Sequence, residues 1–232
     1  VLSLDPGRGD APLALAECEV RLGQQARAAE RLATLAGDAG RPLWQRLRAR
    51  EAEADLWVAQ GQSARAEATY SELVEQTDNA AERRRLWLKA RFLSGPGSAA
   101  VRALFFESAG AREGAVPALE RWADEQPQQS LAPYLLARQA WLRGELQGAA
   151  TLLDRALQLG LPTEDFTREA RLLRFDLALG LRDEARARQL LTGLLSDTGV
   201  PSGRRRVLSD FARRWGLLGA VTLEVGSGER SR

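Results

Sequence analysis

The sequence predicts an all-α solenoid of about twelve helices, and three observations carry that prediction. Helix formers dominate the 232 residues: Ala, Leu, Arg, Glu and Gln are abundant, β-branched residues are sparse and isoleucine is absent. A glycine followed five residues later by an alanine recurs, as LGQQARA at Gly23 and Ala28, QGQSARA at Gly61 and Ala66, RGELQGA at Gly144 and Ala149, and LGLRDEA at Gly180 and Ala185. Each instance lies between two apolar-periodic stretches of helix length, so the unit is helix, glycine-marked turn, helix, with a period in the range of helical repeat arrays.

Taken in order, the opening VLSLDP ends at Pro6, which stops a helix whose beginning lies upstream, so the chain is expected to be cut from a longer array. Helices follow over 10–22 and 24–36, around Gly23, and over 42–60 and 63–76, around Gly61. In the middle, helices are expected over 80–93, 98–108 and 112–125; here Gly95 and Gly110 each have an alanine five residues on, yet stand only 15 apart. Both cannot begin full repeats, so an unpaired helix near 111–125 interrupts the alternation, with a change of curvature or a break between subarrays. SGPGS at 94–98 is a turn signal rather than a phosphate loop, which needs a lysine and a preceding strand. Helices over 130–143 and 146–158 flank Gly144, and ALQLGLP ends the second of them at Pro162. Helices over 163–179 and 183–195 flank Gly180. The last, over 203–215, sets Val207, Leu208, Phe211 and Trp215 on one stripe and Arg204, Arg205, Arg206, Arg213 and Arg214 elsewhere, the pattern of a solvating cap. Residues 1–200 thus read as the array, irregular over about 80–125, 201–216 as a capping helix, and 217–232 as an extended or disordered tail.

With these residues in view, the chain resembles the tetratricopeptide repeat, a 34-residue helix-turn-helix unit of a right-handed α-α superhelix. Setting each glycine at repeat position 15 places Ala28, Ala66, Ala149 and Ala185 at position 20, and Ala16, Ala54 and Ala137 at position 8, where the family has small residues. Small residues there let antiparallel helices approach closely, while Leu32, Tyr70 and Leu153 fill the groove with the next unit. Asp5 and Pro6 match the family's repeat ending and put the next start near Gly9, in register with Gly23. Glu107, at an expected small position, and the residues Arg83, Arg84, Arg85, Phe92, Phe105 and Phe106 depart from the pattern.

The composition bears on chemistry. Histidine is absent and Cys18 is the only cysteine, which removes Ser-His-Asp and Cys-His catalysis and a thiolate zinc site. Cys18 reads as a small core residue. The pairs Glu17 with Glu19, Glu51 with Asp55, and Asp183 with Glu184 sit among arginines at helical spacing and read as solvated helix faces. No catalysis, cofactor or metal is expected. Lys89 is the sole lysine among 33 basic residues, so the richness in arginine reflects overall composition; with 31 interleaved acids and a net charge of +2, nucleic acid is disfavoured as a partner. Trp44, Trp57, Trp87 and Trp122 fall inside apolar stretches and read as packing residues rather than base-stacking platforms. No stretch reaches the roughly 18 apolar residues of a membrane span, so direct membrane insertion is not expected, and the compartment, cytoplasm or periplasm, stays open.

The resemblance implies a concave surface lined by the first helix of each repeat, with positions 2, 5, 9, 12 and 13 pointing into it. Position 9 falls on Glu17, Asp55, Lys89, Arg138 and Arg174, a row acidic at one end and basic at the other; position 12 supplies Phe92 and Trp141, and position 5 supplies Tyr134. Charges beside aromatic anchors suit a protein or peptide partner. The family's clamp for a C-terminal carboxylate is missing, because its positions carry Asp10, Leu13, Ala14 and Glu17, then Arg48, Glu51, Ala52 and Asp55. A protein-interaction scaffold is the expected function. The alternatives are a regulatory or sensor module of a larger signalling protein, such as a kinase or transcription regulator, and a nucleic-acid-binding solenoid. An interface exposed before Pro6 would favour self-association through that end.

Overall fold

The computed structural model describes residues 11–106 and 114–217. Among them lie twelve α-helices and no strand: α1 (Ala11–Arg21), α2 (Gln25–Gly37), α3 (Leu43–Ala59), α4 (Ser63–Gln76), α5 (Ala80–Arg91), α6 (Ser98–Phe105), α7 (Ala115–Glu125), α8 (Leu131–Leu142), α9 (Leu146–Leu159), α10 (Glu164–Gly180), α11 (Glu184–Ser196) and α12 (Ser202–Arg214). No described helix is long and apolar enough to cross a membrane. The chain divides into two compact units, Val1–Ala118 and Leu119–Arg232, with the boundary inside α7.

Each unit is a stack of helical hairpins, and the turn that makes a hairpin has one recurring form. At the end of α1, Gly23 N–H donates to the Val20 carbonyl and Gln24 N–H to the Glu19 carbonyl, at 3.0 and 2.8 Å. The same pair of bonds closes α3 through Gly61 and Gln62, and α8 through Gly144 and Glu145. This closure needs one residue in the left-handed region, where φ is +74° at Gly23, +77° at Gly61 and +79° at Gly144, and glycine adopts it without a Cβ penalty. The second helices end differently: after α2, α4 and α11 the chain leaves through extended residues Asp38, Thr77 and Asp197.

One expectation is corrected here. Gly180 is the last residue of α10 rather than the turn residue; the left-handed position is taken by Arg182, at φ +59°, with Arg182 N–H on the Leu179 carbonyl and Asp183 N–H on the Ala178 carbonyl. The register of this repeat therefore runs two residues later than the glycine suggested. Ala185 is exposed, and Ala187, five residues after Arg182, is fully buried like Ala28, Ala66 and Ala149. The expected outcome is that Ala187→Leu, which forces three extra carbons into a close helix contact, costs about 2 kcal/mol, whereas Ala185→Leu changes the urea midpoint by no more than about 0.5 kcal/mol equivalent.

The cores follow the hairpins. In the first unit Ala16, Ala28, Leu32, Leu35, Ala49 and Leu56 make one cluster, and Ala54, Val58, Ala66, Tyr70, Leu73, Leu86 and Leu93 the next. In the second unit Phe175, Ala178, Ala187, Leu191, Leu194, Val200, Leu208 and Ala212 tie α10, α11 and α12 together. In the irregular middle Gly95 is left-handed at φ +76° and Ala100 is buried, while Glu107 and Gly110 lie outside the described residues, as do 1–10 and 218–232 with the expectations that fall on them. Two packing expectations are corrected: Cys18 is exposed on α1, and Trp44, at the start of α3, is 50% exposed; Trp122 is buried.

Candidate functional site

The first helices bring the family's groove positions together in both units, with opposite results. In the first unit, α3 carries Glu51 and Asp55 four residues apart on one face, and α5 carries Arg85 and Lys89 at the same spacing. Arg85 stands 34 residues after Glu51 and Lys89 34 after Asp55, one repeat apart, so adjacent first helices set acid against base. Lys89 is 2% exposed, with its Nζ 2.8 Å from Glu51 Oε1 and 2.7 and 2.9 Å from the two Asp55 oxygens. Arg85 donates to both Glu51 oxygens, one at 2.8 Å, and the Tyr70 hydroxyl donates to Asp55. The ammonium also lies 4.7 Å from the centre of the Phe106 ring and 5.5 Å from that of Tyr70.

The electrostatics of this cluster follow from burial and charge acting in opposition. Burial pushes the Asp55 carboxyl above its ordinary value, and the Lys89 ammonium and the Tyr70 hydroxyl only partly offset it. Burial acts on Glu51 too, but Lys89 and Arg85 together outweigh it and hold that carboxyl below its usual range. Burial, followed by the neighbouring Asp55 charge, raises the Tyr70 phenol. Glu51 and Asp55 are thus not the solvated face that their spacing suggested: Glu51 is buried, and both are consumed in holding α3, α4 and α5 together. Glu19 likewise turns inward to a two-bond pair with Arg31, at 2.7 and 3.0 Å, while Glu17 stays in solvent beside Arg21.

In the second unit the corresponding surface is open. A groove of about 250 Å³ is lined by Arg138 and Trp141 of α8, by Glu169, Leu172, Leu173 and Asp176 of α10, and by Arg204 of α12. These are three successive first helices. Arg138 faces Glu169 at 3.6 Å, and Arg204 is paired with Asp176. Trp141 is 44% exposed at the rim, a large apolar surface left in water beside a polar ladder.

Of the eight residues expected to line a groove, Arg138 and Trp141 do so here. Tyr134 does not offer a contact surface: it is fully buried, packs edge-on against Phe166 at 5.5 Å, and its hydroxyl donates to Glu169 at 2.6 Å, orienting a carboxylate of the groove from behind. Asp55 and Lys89 bind each other, Glu17 stands apart on α1, and Phe92 packs edge-on against Trp87. Arg174 is a correction: it is 7% exposed and turned toward α9, where it holds Asp154 through two bonds at 3.0 and 3.1 Å. The reason is the two-residue shift at Arg182. Counted from that turn, position 9 of α10 is Asp176, and positions 2 and 5 are Glu169 and Leu172, all of which line the groove. The row at position 9 accordingly ends on an acid, and the acidic-to-basic gradient dissolves. What reveals the first-unit ladder in the sequence is the 34-residue spacing of opposite charges; what hides Asp176 is a turn made without glycine.

Residues 1–51 match the family model described as the tetratricopeptide repeat. No curated protein matches the chain. Solved structures similar to it include a tetratricopeptide repeat protein from Parabacteroides merdae ATCC 43184, at 16% identity and a TM-score of 0.41, covering 94% of this chain and 77% of that one. Another is MamA 41-end from Desulfovibrio magneticus RS-1, at 15% identity and a TM-score of 0.34, covering 81% of this chain and 93% of that one. The first repeat matches the family's model directly, and the turn that closes it recurs at Gly61, Gly144 and Arg182, so the described chain is built of tetratricopeptide-like helical hairpins.

Proposed function

We propose that this chain is a protein-interaction scaffold that holds a segment of a partner protein in the groove of its second unit, with no catalysis of its own. Tetratricopeptide repeats generally mediate protein–protein interaction; the observation that supports this groove in particular is the half-exposed Trp141 beside Leu172 and Leu173, framed by Arg138, Glu169, Asp176 and Arg204. An exposed tryptophan next to an apolar floor gains most from being covered, and paired charges around it fix the register of what covers it. The first unit supports the reading by contrast, since there the same repeat positions are already satisfied by Glu51, Asp55, Arg85 and Lys89.

The test is capture of interacting proteins by the wild-type chain and by a Trp141→Ala, Arg138→Glu double variant. Both side chains are substantially exposed, so the variant is expected to keep its thermal midpoint while affinity for the groove partner falls about a hundredfold, the scale of losing a central aromatic anchor. An unchanged set of captured proteins at unchanged affinity removes this groove from the function. Tyr134 is unsuited to the test because its replacement would disturb the fold.

A further inference from the structure

The last described helix ends as a first helix does. At the end of α12, Gly216 is left-handed at φ +69°, Gly216 N–H donates to the Arg213 carbonyl at 3.1 Å and Leu217 N–H to the Ala212 carbonyl at 2.8 Å. This is the closure of α1, α3, α8 and α10, every one of which is followed by a partner helix packed along it. The small residues that receive that partner, Ala16, Ala54 and Ala137, stand seven residues before their turn residues and are covered to within 1%. The equivalent residue of α12 is Ser209, which is only partly buried.

On the other side α12 is fully engaged: Leu208 and Ala212 are buried against α11, and Phe211 packs edge-on against Phe175 at 5.7 Å. The stripe Ser202, Arg205, Arg206 and Ser209, spaced for one helix face, instead lines a concavity of about 500 Å³ together with Thr198 and Val200 of the preceding loop. Among the described residues its polar lining is hydroxyls and two guanidiniums, with no acidic side chain. Arg205 is fixed there by bonds to the carbonyls of Asp197, Thr198 and Val200 at 3.3, 2.7 and 3.2 Å, and Arg206 is exposed; neither has an ion pair among the described residues.

We propose that this face of α12 is a second docking surface, distinct from the groove, and that it receives an acidic α-helix of a partner protein, laid where the second helix of a repeat would pack. The repeat geometry supplies the place, the side of a first helix along which a second helix packs, and the lining supplies the sign: glutamates or aspartates four residues apart on the incoming helix meet Arg205 and Arg206, and its small residues meet Ser202 and Ser209.

The experiment is selection of a displayed library of 20-residue helical peptides on the full chain, followed by affinity measurement of the winners on two substituted chains, Arg206→Glu and Trp141→Ala, and on a chain ending at Leu217. The expected result is a class of acidic helical binders that weaken at least tenfold on Arg206→Glu and are unaffected by Trp141→Ala, and a shift toward basic binders when Arg206→Glu is the bait. The groove reading fails separately, through binders or captured proteins indifferent to Trp141→Ala. Three outcomes overturn the α12 proposal: no class of binders sensitive to Arg206→Glu; displacement of such binders by duplex DNA or anionic phosphatidylglycerol vesicles as readily as by the acidic peptide; or binding that emerges only after truncation beyond Leu217, which would make the chain's own residues 218–232 the occupant.

Discussion

Lys89→Met lowers the stability of the first unit by about 3–5 kcal/mol. Methionine is close to lysine in length and shape, so little volume is lost; what is lost is the ammonium that sits within 3 Å of three carboxylate oxygens of Glu51 and Asp55 at 2% exposure. Breaking a buried pair by removing one partner leaves the other charge uncompensated, and that cost exceeds the net worth of the intact pair. The pH dependence identifies the cause. Without Lys89 the Asp55 carboxyl, already pushed up by burial, binds its proton more tightly in the folded chain than in the unfolded one, whereas Glu51 keeps Arg85, so the deficit is fully present near neutral pH and shrinks as pH falls toward 4 and Asp55 becomes neutral. Urea unfolding followed by circular dichroism at pH 7 and at pH 4.5 measures both. A deficit that is the same at the two pH values, or one that the double change Lys89→Met, Asp55→Asn fails to reduce, would show that Lys89 acts through packing alone.

Phe175→Ala costs about 3–5 kcal/mol in the second unit and releases α12. Counted from Arg182, Phe175 occupies the repeat position that is alanine in α1, α3 and α8, yet it is 1% exposed and stacks edge-on against Phe211. A ring at that place is tolerated because α12 is shaped around it: Phe211, Trp215 and Leu208 close over it, with Trp215 a further 5.5 Å from Phe211. Truncation leaves a ring-sized cavity that the alanine-lined hairpin cannot collapse into. Because stability in a repeat array is carried by nearest neighbours, hydrogen exchange should accelerate first across α12, then α11, with α8 and α9 the last affected. Uniform acceleration over α8 to α12 would contradict that local coupling.

The helices were legible in the sequence because each is bounded by signals that act over a few residues. Gly23, Gly61 and Gly144 mark left-handed turns that other residues enter only at a cost, and the apolar spacing on either side is that of a helix buried on one face. The repeat itself was legible for the same reason: alanines five residues after those glycines are the contacts that let two helices lie close. Reading stopped where a local rule had an exception. Arg182 makes the left-handed turn in place of Gly180, and since nothing in its neighbourhood announces this, counting from the glycine sets every groove position of α10 two residues early. That count puts Arg174 in the groove, where the fold puts Asp176.

The chain's own residues, by composition and period, determine that it is all-α, that its helices pair across glycine turns, and that histidine and paired cysteine chemistry are outside its reach. Only the tertiary structure decides which groove charges are available. Asp55 and Lys89 lie 34 residues apart and cancel in the first unit, Tyr134 is buried behind Glu169, and Trp141 is left half exposed at the rim of the groove in the second unit. The physical reason is one of range: helix propensity and turn geometry are set by neighbours in the chain, whereas the cost of a charge and the exposure of a ring depend on what the next repeat brings within a few ångströms.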